Sequence, residues 1–297
     1  MLDPRSGKVP GFGELPKVTE LSPHVVRLLA PNGSAMTLDG TNTYLVGGDG
    51  GGCLVVDPGP ASQLHLDQIE IEAAARGWSI GGVLLTHHHS DHSESAFQFA
   101  QKLNVEVYAH ADSFRLRHYH HLSNSGDTVI AGVALDVVPT PGHSQDHLCF
   151  SLPDGTLLTG DHVLGRGTSV VAYPDGSLSD YLDSLDRIRV RDFTVLAPGH
   201  GPDIERELAQ ETILYYLGHR RERLDQILDF IGRFPGIDQE QLVDLIYTDL
   251  PTPMIRFAAA ASTRAGLEYL IQAGDIHSDR EELEKFRVVV GLDSDDL

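Results

Sequence analysis

The sequence predicts an α/β chain of the α+β type, in which mixed β-sheets are covered by helices. Short apolar runs rich in β-branched residues alternate with helical patterns as far as about residue 205. Several of these runs are joined by hairpin turns rather than by crossovers, which argues against a purely parallel sheet. After Ile204 the pattern changes, and long helical stretches replace the strands.

Strands are predicted where short apolar runs are bounded by turn residues. They lie at 24–31, 43–48, 53–59, 82–86, 106–111, 127–140, 147–161 and 193–201. Hairpin turns are expected at GGDGGG (47–52) and at PDG (153–155). Helices are predicted after an N-cap at Ser62, over 93–104 and over 177–190.

The remainder of the chain predicts three helices and a short strand. The helical patterns cover 205–233, 237–247 and 254–273, and RVVVGL (287–292) predicts the strand. This order suggests a small winged-helix-like domain, and the alternative is that the helices cover one edge of the main domain. The predicted organisation is therefore a flexible arm at 1–22, a main α/β domain at 23–205 and a C-terminal helical domain at 206–297.

Composition restricts the compartment and the partners. The 297 residues carry a formal charge of −21, and such a surface repels polyanions at long range. Cys53 and Cys149 belong to no CxxC pattern, which fits a reducing compartment without a disulfide framework. We recognise no signal peptide and no apolar stretch of membrane-spanning length, so we expect a cytoplasmic protein that does not engage a membrane. The sequence leaves the oligomeric state open.

The strand predicted at 82–86 runs directly into HHHSDH (87–92), a cluster of metal donors. Side chains at i, i+2 and i+4 of an extended segment point the same way, so His87, His89 and Asp91 are expected to face one point. His92 lies where the next helix begins, and the turn can swing it toward the same region. Imidazole nitrogen and carboxylate oxygen are both good zinc ligands.

Three further segments each place a metal donor next to a glycine, just past a predicted strand. They are Pro141-Gly142-His143, Thr159-Gly160-Asp161 and Pro198-Gly199-His200. Glycine lets the backbone turn sharply and approach other groups closely. One such segment means little, but the whole set in this order predicts a metal site.

These motifs resemble those of the metallo-β-lactamase superfamily, as does DPG (57–59) after an apolar strand. The resemblance covers about residues 24–205 and implies an αββα sandwich with a metal site at one edge. GDHVLGRGT (160–168) and the trailing helices are most similar to the β-lactamase-like protein 2 group. That group includes a single-strand-specific endoribonuclease and, more distantly, thioesterases of polyketide pathways. The chain departs from the family at SES (93–95), where two glycines are common.

The resemblance also implies a role for each donor. A first metal would be held by three histidines, a second by one aspartate and two histidines, and one further aspartate would bridge both. The sets are His87, His89 and His143 for the first metal, Asp91, His92 and His200 for the second, and Asp161 for the bridge. Two Zn²⁺ ions per chain are the expected cofactors, with another divalent metal as the alternative. Asp91 and Asp161 are the expected catalytic residues.

These ligands predict a metal-dependent hydrolase. Two metals about 3.5–4 Å apart can share a hydroxide near neutral pH, and this hydroxide attacks a carbonyl carbon or a phosphorus. We expect a small thioester or ester (acyl) substrate, because the charge of −21 disfavours a single-stranded nucleic acid. The alternative is a single-strand-specific endoribonuclease or phosphodiesterase, which the family resemblance favours. Local arginine clusters such as Arg115 and Arg117 weaken the objection from net charge.

Three other functions are weaker predictions. β-Lactam hydrolysis would call for a secreted or periplasmic protein. A non-catalytic nucleic-acid-binding protein would have no use for a full set of metal donors. A di-iron redox protein of this family usually carries a flavin-binding partner domain and more carboxylate ligands than are present here.

Overall fold

The computed structural model describes residues 2–111, 113, 119–122, 125–278 and 286–288. In these ranges two mixed β-sheets pack face to face, and helices cover the outer face of each sheet. The predicted α/β sandwich of mixed sheets is therefore confirmed. None of the described helices combines the length and the apolarity that crossing a bilayer needs.

The first sheet contains seven described strands in the order of the sequence. They are β1 (Val18–Ser22), β2 (Val25–Leu29), β3 (Asn42–Gly47), β4 (Gly52–Val56), β5 (Ser79–Leu84), β6 (Glu106–Ala109) and β7 (His120–His121). Strands β1 to β4 pair antiparallel, and β4 to β7 pair parallel. The predicted turn at 47–52 does join β3 to β4.

The second sheet contains six described strands, again in sequence order. They are β8 (Gly126–Ile130), β9 (Val133–Pro139), β10 (Leu148–Ser151), β11 (Thr156–Gly160), β12 (Val195–Pro198) and β13 (Ile204–Glu205). Only the pair β11–β12 is parallel among these strands. The two sheets are joined by apolar side chains that alternate along each strand: Leu54 and Val56 of β4 enter the core between the sheets, whereas Val55 faces the helices outside.

Helices α1 (Gln63–Ala75) and α3 (Ala96–Leu103) cover the first sheet, and α4 (Leu178–Arg189) and α5 (Arg206–Arg233) cover the second. The pattern at 93–104 predicts one helix, but the structure has a short helix α2 (Ser90–Ser93) before α3. The donors Asp91 and His92 lie in α2, and the break falls directly after this helix, at Glu94 and Ser95.

Beyond α5 lie α6 (Gln239–Ile246), α7 (Pro253–Ala273) and an antiparallel pair, β14 (Ile276–Ser278) with β15 (Phe286–Val288). The caps explain the helix starts: Asp238 and Gln241 form a capping box on α6, and the Thr252 hydroxyl accepts a hydrogen bond from Ile255 N on α7. The winged-helix-like character stays a prediction, and most of the predicted strand 287–292 lies outside the described residues.

Two features of the packing bear on the predicted domain organisation. Within the predicted arm at 1–22, Val18–Ser22 forms the edge strand β1, and Arg5 is buried. At the predicted boundary 205/206 the packing is continuous. A single hydrophobic core runs from Leu196 of β12 through Tyr216 of α5 to Phe286 of β15, since α5 supplies the outer layer of the sandwich.

Candidate metal centre

All seven predicted donors meet at one edge of the sandwich. They follow the carboxyl ends of β5, β9, β11 and β12, so each is delivered by a buried strand and carried on the loop beyond it. Their donor atoms form two groups, each within 4.8 Å. The first group is His87, His89 and His143, and the second is Asp91, His92, Asp161 and His200.

In the first group, ring nitrogens turn their lone pairs toward one point. His143 Nδ1 donates to the carbonyl of Val170 at 2.7 Å, and His89 Nε2 donates to Asp175 Oδ2 at 3.1 Å. The other nitrogen of each neutral ring is therefore an acceptor. His87 Nε2 and His143 Nε2 lie 3.0 Å and 2.9 Å from His89 Nδ1. Acceptors this close to one another fit a shared cation.

The electrostatics of the first group favour the neutral form of His87 and of His143. Burial, reinforced by the neighbouring His89, lowers the pKa of His143 to about 4. Burial and the nearby His92 hold the pKa of His87 well below its usual range. Neutral imidazole is the form that binds a metal, so these rings are ready to do so at neutral pH.

The second group is rich in carboxylates. Asp161 Oδ1 lies 3.4 Å from both His92 Nε2 and His200 Nε2, and Asp91 Oδ2 lies 3.1 Å from His200 Nε2. The outer nitrogen of His200 donates to the carbonyl of Gly40 at 3.1 Å. Both Nε2 atoms of this group therefore point inward, among the carboxylate oxygens.

Protons are held in the second group by this surplus of negative charge. Burial disfavours charge on His200, but Asp161 and Asp91 raise its pKa to about 9. Burial likewise opposes charge on His92, yet the surrounding carboxylates hold its pKa well above the usual range. The pKa of Asp91 is lowered to about 2, against its burial, chiefly by His92. Cations that replace these protons would find two ionised carboxylates.

Asp161 lies between the two groups. Its Oδ1 faces the second group, and its Oδ2 lies 3.7 Å from His143 Nε2 of the first. Within the described residues, Oδ1 is buried and makes no hydrogen bond of normal geometry, because the two imidazole nitrogens beside it lie 3.4 Å away. A buried carboxylate oxygen that faces two imidazole nitrogens at this distance fits a metal ion bound between them.

Two glycines allow this close approach. A Cβ on Gly199 would lie 2.6 Å from Asp161 Oδ1, and a Cβ on Gly160 would lie 2.7 Å from His147 Nε2. Gly160 also has a φ of +46°. Gly199 therefore makes room for the donors Asp161 and His92, and Gly160 makes room for His147 and Thr86 behind the donors.

Asp57 links the two groups from behind. Its Oδ2 accepts a hydrogen bond from His92 Nδ1 at 2.8 Å and another from Thr86 Oγ1 at 2.6 Å. Thr86 Oγ1 in turn lies 3.0 Å from His87 Nδ1 and accepts its proton. One carboxylate thus orients a histidine of each group, in the way that outer carboxylates orient metal-ligating histidines.

The site opens to solvent over His89 and Asp91. Their side chains are 31% and 30% exposed, whereas those of the other donors are at most 12% exposed. A substrate would therefore approach the centre past one donor of each group.

Some details of the sequence-based interpretation need correction. Asp91 does not face the same point as His87 and His89, because Ser90 begins α2 and ends the extended run. His88, between two donors in the sequence, points away from both groups, with its Nδ1 2.9 Å from Asp146 Oδ1. His162, directly after Asp161, is fully buried against Tyr181. Arg115 and Arg117 lie outside the described residues.

Two positioning side chains carried no signal in the sequence. His147 Nε2 accepts a hydrogen bond from Asp161 N at 3.1 Å, but in the sequence it is merely the first residue of an apolar strand. Asp175, the partner of His89, lies in the segment Pro174-Asp175-Gly176, which has the composition of an ordinary turn.

Known proteins resemble this chain in sequence and in fold. Residues 36–200 match the family described as the metallo-beta-lactamase superfamily. A beta-lactamase-like protein 2 homolog from Drosophila melanogaster is 33% identical over 92% of this chain and 97% of its own. An atrochrysone carboxyl ACP thioesterase from Paecilomyces divaricatus is 34% identical over 78% of this chain and 74% of its own. A beta-lactamase domain protein from Burkholderia ambifaria shares the fold, with a TM-score of 0.81 over 95% of both chains at 21% identity.

Proposed function

Because this chain belongs to the metallo-beta-lactamase superfamily and, within it, to the beta-lactamase-like protein 2 group, we propose that it is a dinuclear zinc hydrolase that cleaves a small acyl thioester or ester. The observation that carries the proposal is the position of Asp161, with one oxygen toward each donor group. Seven donors in two groups, joined by one carboxylate, match the requirement of two adjacent cations.

The first cation would take His87, His89 and His143, and the second would take Asp91, His92 and His200, with Asp161 shared. When bound, such a metal pair supplies polarisation of the substrate carbonyl and a hydroxide nucleophile near neutral pH. The donor set of imidazole and carboxylate without thiolate suits zinc, and both cysteines are buried in the core instead.

The residues around this centre have separable tasks. Asp91 stays ionised at neutral pH because its pKa is lowered to about 2, so it would accept a hydrogen bond from the attacking hydroxide and orient it. Asp161 is held in place through its own backbone N–H, which donates to His147. Water adds its oxygen to the acyl carbon, the carbon–sulfur bond breaks, and the proton from water ends on the departing thiol.

Charge and similarity both favour an acyl substrate. The net charge of −21 opposes a polyanion, and a relative that is 34% identical is named as an acyl carrier thioesterase. An endoribonuclease activity is the second candidate.

The test is thiol release from a short acyl thioester by the zinc-loaded full chain, measured beside cleavage of a fluorescent single-stranded RNA. We expect thioester turnover that a chelator stops. His143→Ala should abolish it, while the exposed His24→Ala, at the turn between β1 and β2, should leave it unchanged. RNA cleavage without thioester turnover would move the assignment to the second candidate, and activity in His143→Ala would overturn the site.

A further inference from the structure

The N-terminal segment, defined as residues 3–13, is anchored by a buried arginine. Arg5 is 1% exposed, and its Nη1 and Nη2 donate to the carbonyls of Leu164 and Gly167, each at 2.5 Å. Asp3 accepts from Arg5 Nε at 2.8 Å and from Nη2 at 2.7 Å, which balances the charge. The guanidinium also lies 5.4 Å from the ring centre of Tyr216. A buried charge with this many partners holds a fixed position.

The carbonyls that Arg5 holds belong to a loop that touches both donor groups. This supporting loop, defined as residues 164–170, lies directly behind two of the histidines. Val170 O accepts the proton of His143 Nδ1 at 2.7 Å, and Gly165 N donates to the carbonyl of His200 at 2.8 Å. The orientation of one histidine of each group therefore depends on where this loop lies.

A second connection runs from the N-terminal segment to His200. Arg166 of the supporting loop pairs with Asp39 and donates to the carbonyl of Pro10, and its guanidinium lies 4.7 Å from the ring centre of Phe12. Asp39 Oδ1 also accepts from Gly13 N at 2.7 Å. The residue after Asp39 is Gly40, whose carbonyl accepts the proton of His200 Nδ1 at 3.1 Å. The segment thus supports His200 from two sides.

On the side away from the N-terminal segment, the supporting loop is held by α5, one of the helices that cover the second sheet. Arg220 of α5 donates to the carbonyl of Ser169, and the hydroxyl of Tyr216 accepts from Leu164 N at 3.0 Å. The loop is therefore held between α5 and the N-terminal segment. Without the segment, the carbonyls of Leu164 and Gly167 would lose their guanidinium partner, and only one side would remain.

We propose that the N-terminal segment is a positioning element of the metal centre and that Arg5 is its anchoring residue. The segment touches neither substrate nor metal; it acts through the supporting loop on His143 and His200. This inference rests on the proposed function in so far as these two histidines are metal ligands. Its structural half, the dependence of the supporting loop on Arg5, holds with or without metal.

The test compares Arg5→Met with Lys8→Met, a matched change in the same segment at a side chain that is 57% exposed. The first measurement is amide hydrogen exchange of the chelator-stripped protein. We expect exchange at Leu164 and Gly165 to rise about tenfold or more in Arg5→Met and to stay unchanged in Lys8→Met. Unchanged exchange in Arg5→Met would overturn the proposal, even if the protein bound no metal at all.

The second measurement is the rate at which a chelator removes zinc from the loaded protein, together with the visible spectrum of the cobalt-substituted protein. Arg5→Met should lose zinc about 10–100 times faster and shift the cobalt bands, because ligand orientation is relaxed. Arg5→Lys keeps the positive charge but lacks the planar guanidinium, so its rate of zinc loss should lie between those of the wild type and Arg5→Met. This variant replaces Arg5→Met in the test if Arg5→Met does not fold. Zinc loss and spectra identical to wild type in both Arg5 variants would contradict the proposal.

Discussion

The two donor groups lie side by side, yet they shift the pKa values of their histidines in opposite directions. The first consists of three histidines, and the pKa values of His87 and His143 are lowered by burial and by neighbouring rings. The second contains two carboxylates, and these raise the pKa values of His92 and His200. A cation would therefore meet neutral His87 and His143 in the first group, whereas in the second group it would have to replace the protons of His92 and His200.

The largest expected effect comes from removing the carboxylate that the groups share. Asp161→Asn should lower the hydrolysis rate on the order of 10³-fold, because Lewis-acid and charge stabilisation worth several kcal/mol depends on both cations. Zinc content, measured by elemental analysis, should fall in both groups. The exposed Asp186→Asn on α4 is the control and should match the wild type. A fully active Asp161→Asn protein with two zinc ions would show that this carboxylate is dispensable.

A smaller effect is expected from the outer carboxylates, and it should differ between the groups. Asp57 is 2% exposed and orients His92 directly and His87 through Thr86, whereas Asp175 orients only His89 of the first group. Asp57→Asn should weaken zinc binding about 10–100-fold.

Asp175→Asn, with a side chain that is 19% exposed in the wild type, should have a weaker effect that is confined to one of the two zinc ions. In the other variant, Asp57→Asn, the backbone should be preserved, because asparagine tolerates the φ of +51° at that position. Competition with a chromophoric chelator measures both affinities. Equal losses in the two variants would contradict the different placement of these carboxylates.

The smallest effect is a pH dependence that belongs to the second group. The pKa of His200 is raised to about 9 from its usual 6.5, so its pairing with Asp161 stabilises the metal-free protein fully below pH 6.5 and is lost as pH rises through 9. Zinc bound at His200 would remove this dependence, because it would replace the proton.

The zinc-induced increase in Tm should therefore grow between pH 6.5 and pH 9, by roughly 5 °C. Thermal unfolding with and without zinc measures it. Metal-free His200→Gln should lack the loss of stability over this window. A constant zinc-induced increase across the window would contradict the proton contrast between the groups.

Much of this centre could be predicted from the sequence because its donors lie in short motifs. HHHSDH follows a buried strand, and each remaining donor lies next to a glycine at the end of another strand, so the order of motifs alone brings the candidates to one edge. Their division into groups could not be obtained from strand alternation. Ser90 starts a helix at that point, which turns Asp91 toward His200 instead of His89.

The long-range contacts that support the donors could not be predicted from the sequence. Arg5 lies 159 residues before Leu164, and a proline- and glycine-rich segment gives no sign that one of its arginines is buried. The sequence left the packing of α5 open between two alternatives, because an amphipathic helix after a turn has the same pattern whether it begins a new domain or completes the sandwich. Local patterns predict elements and motifs, but they do not say which surfaces meet.

Calorimetric titration of the chelator-stripped protein with zinc at pH 7, repeated in buffers of different ionisation enthalpy, measures both the zinc ions bound and the protons released. We expect two zinc ions per chain: one binds without proton release, and the other releases at least one proton from the second group. Binding of a single ion or of none would contradict the two-group centre, and two ions with equal proton release would contradict the difference between the groups.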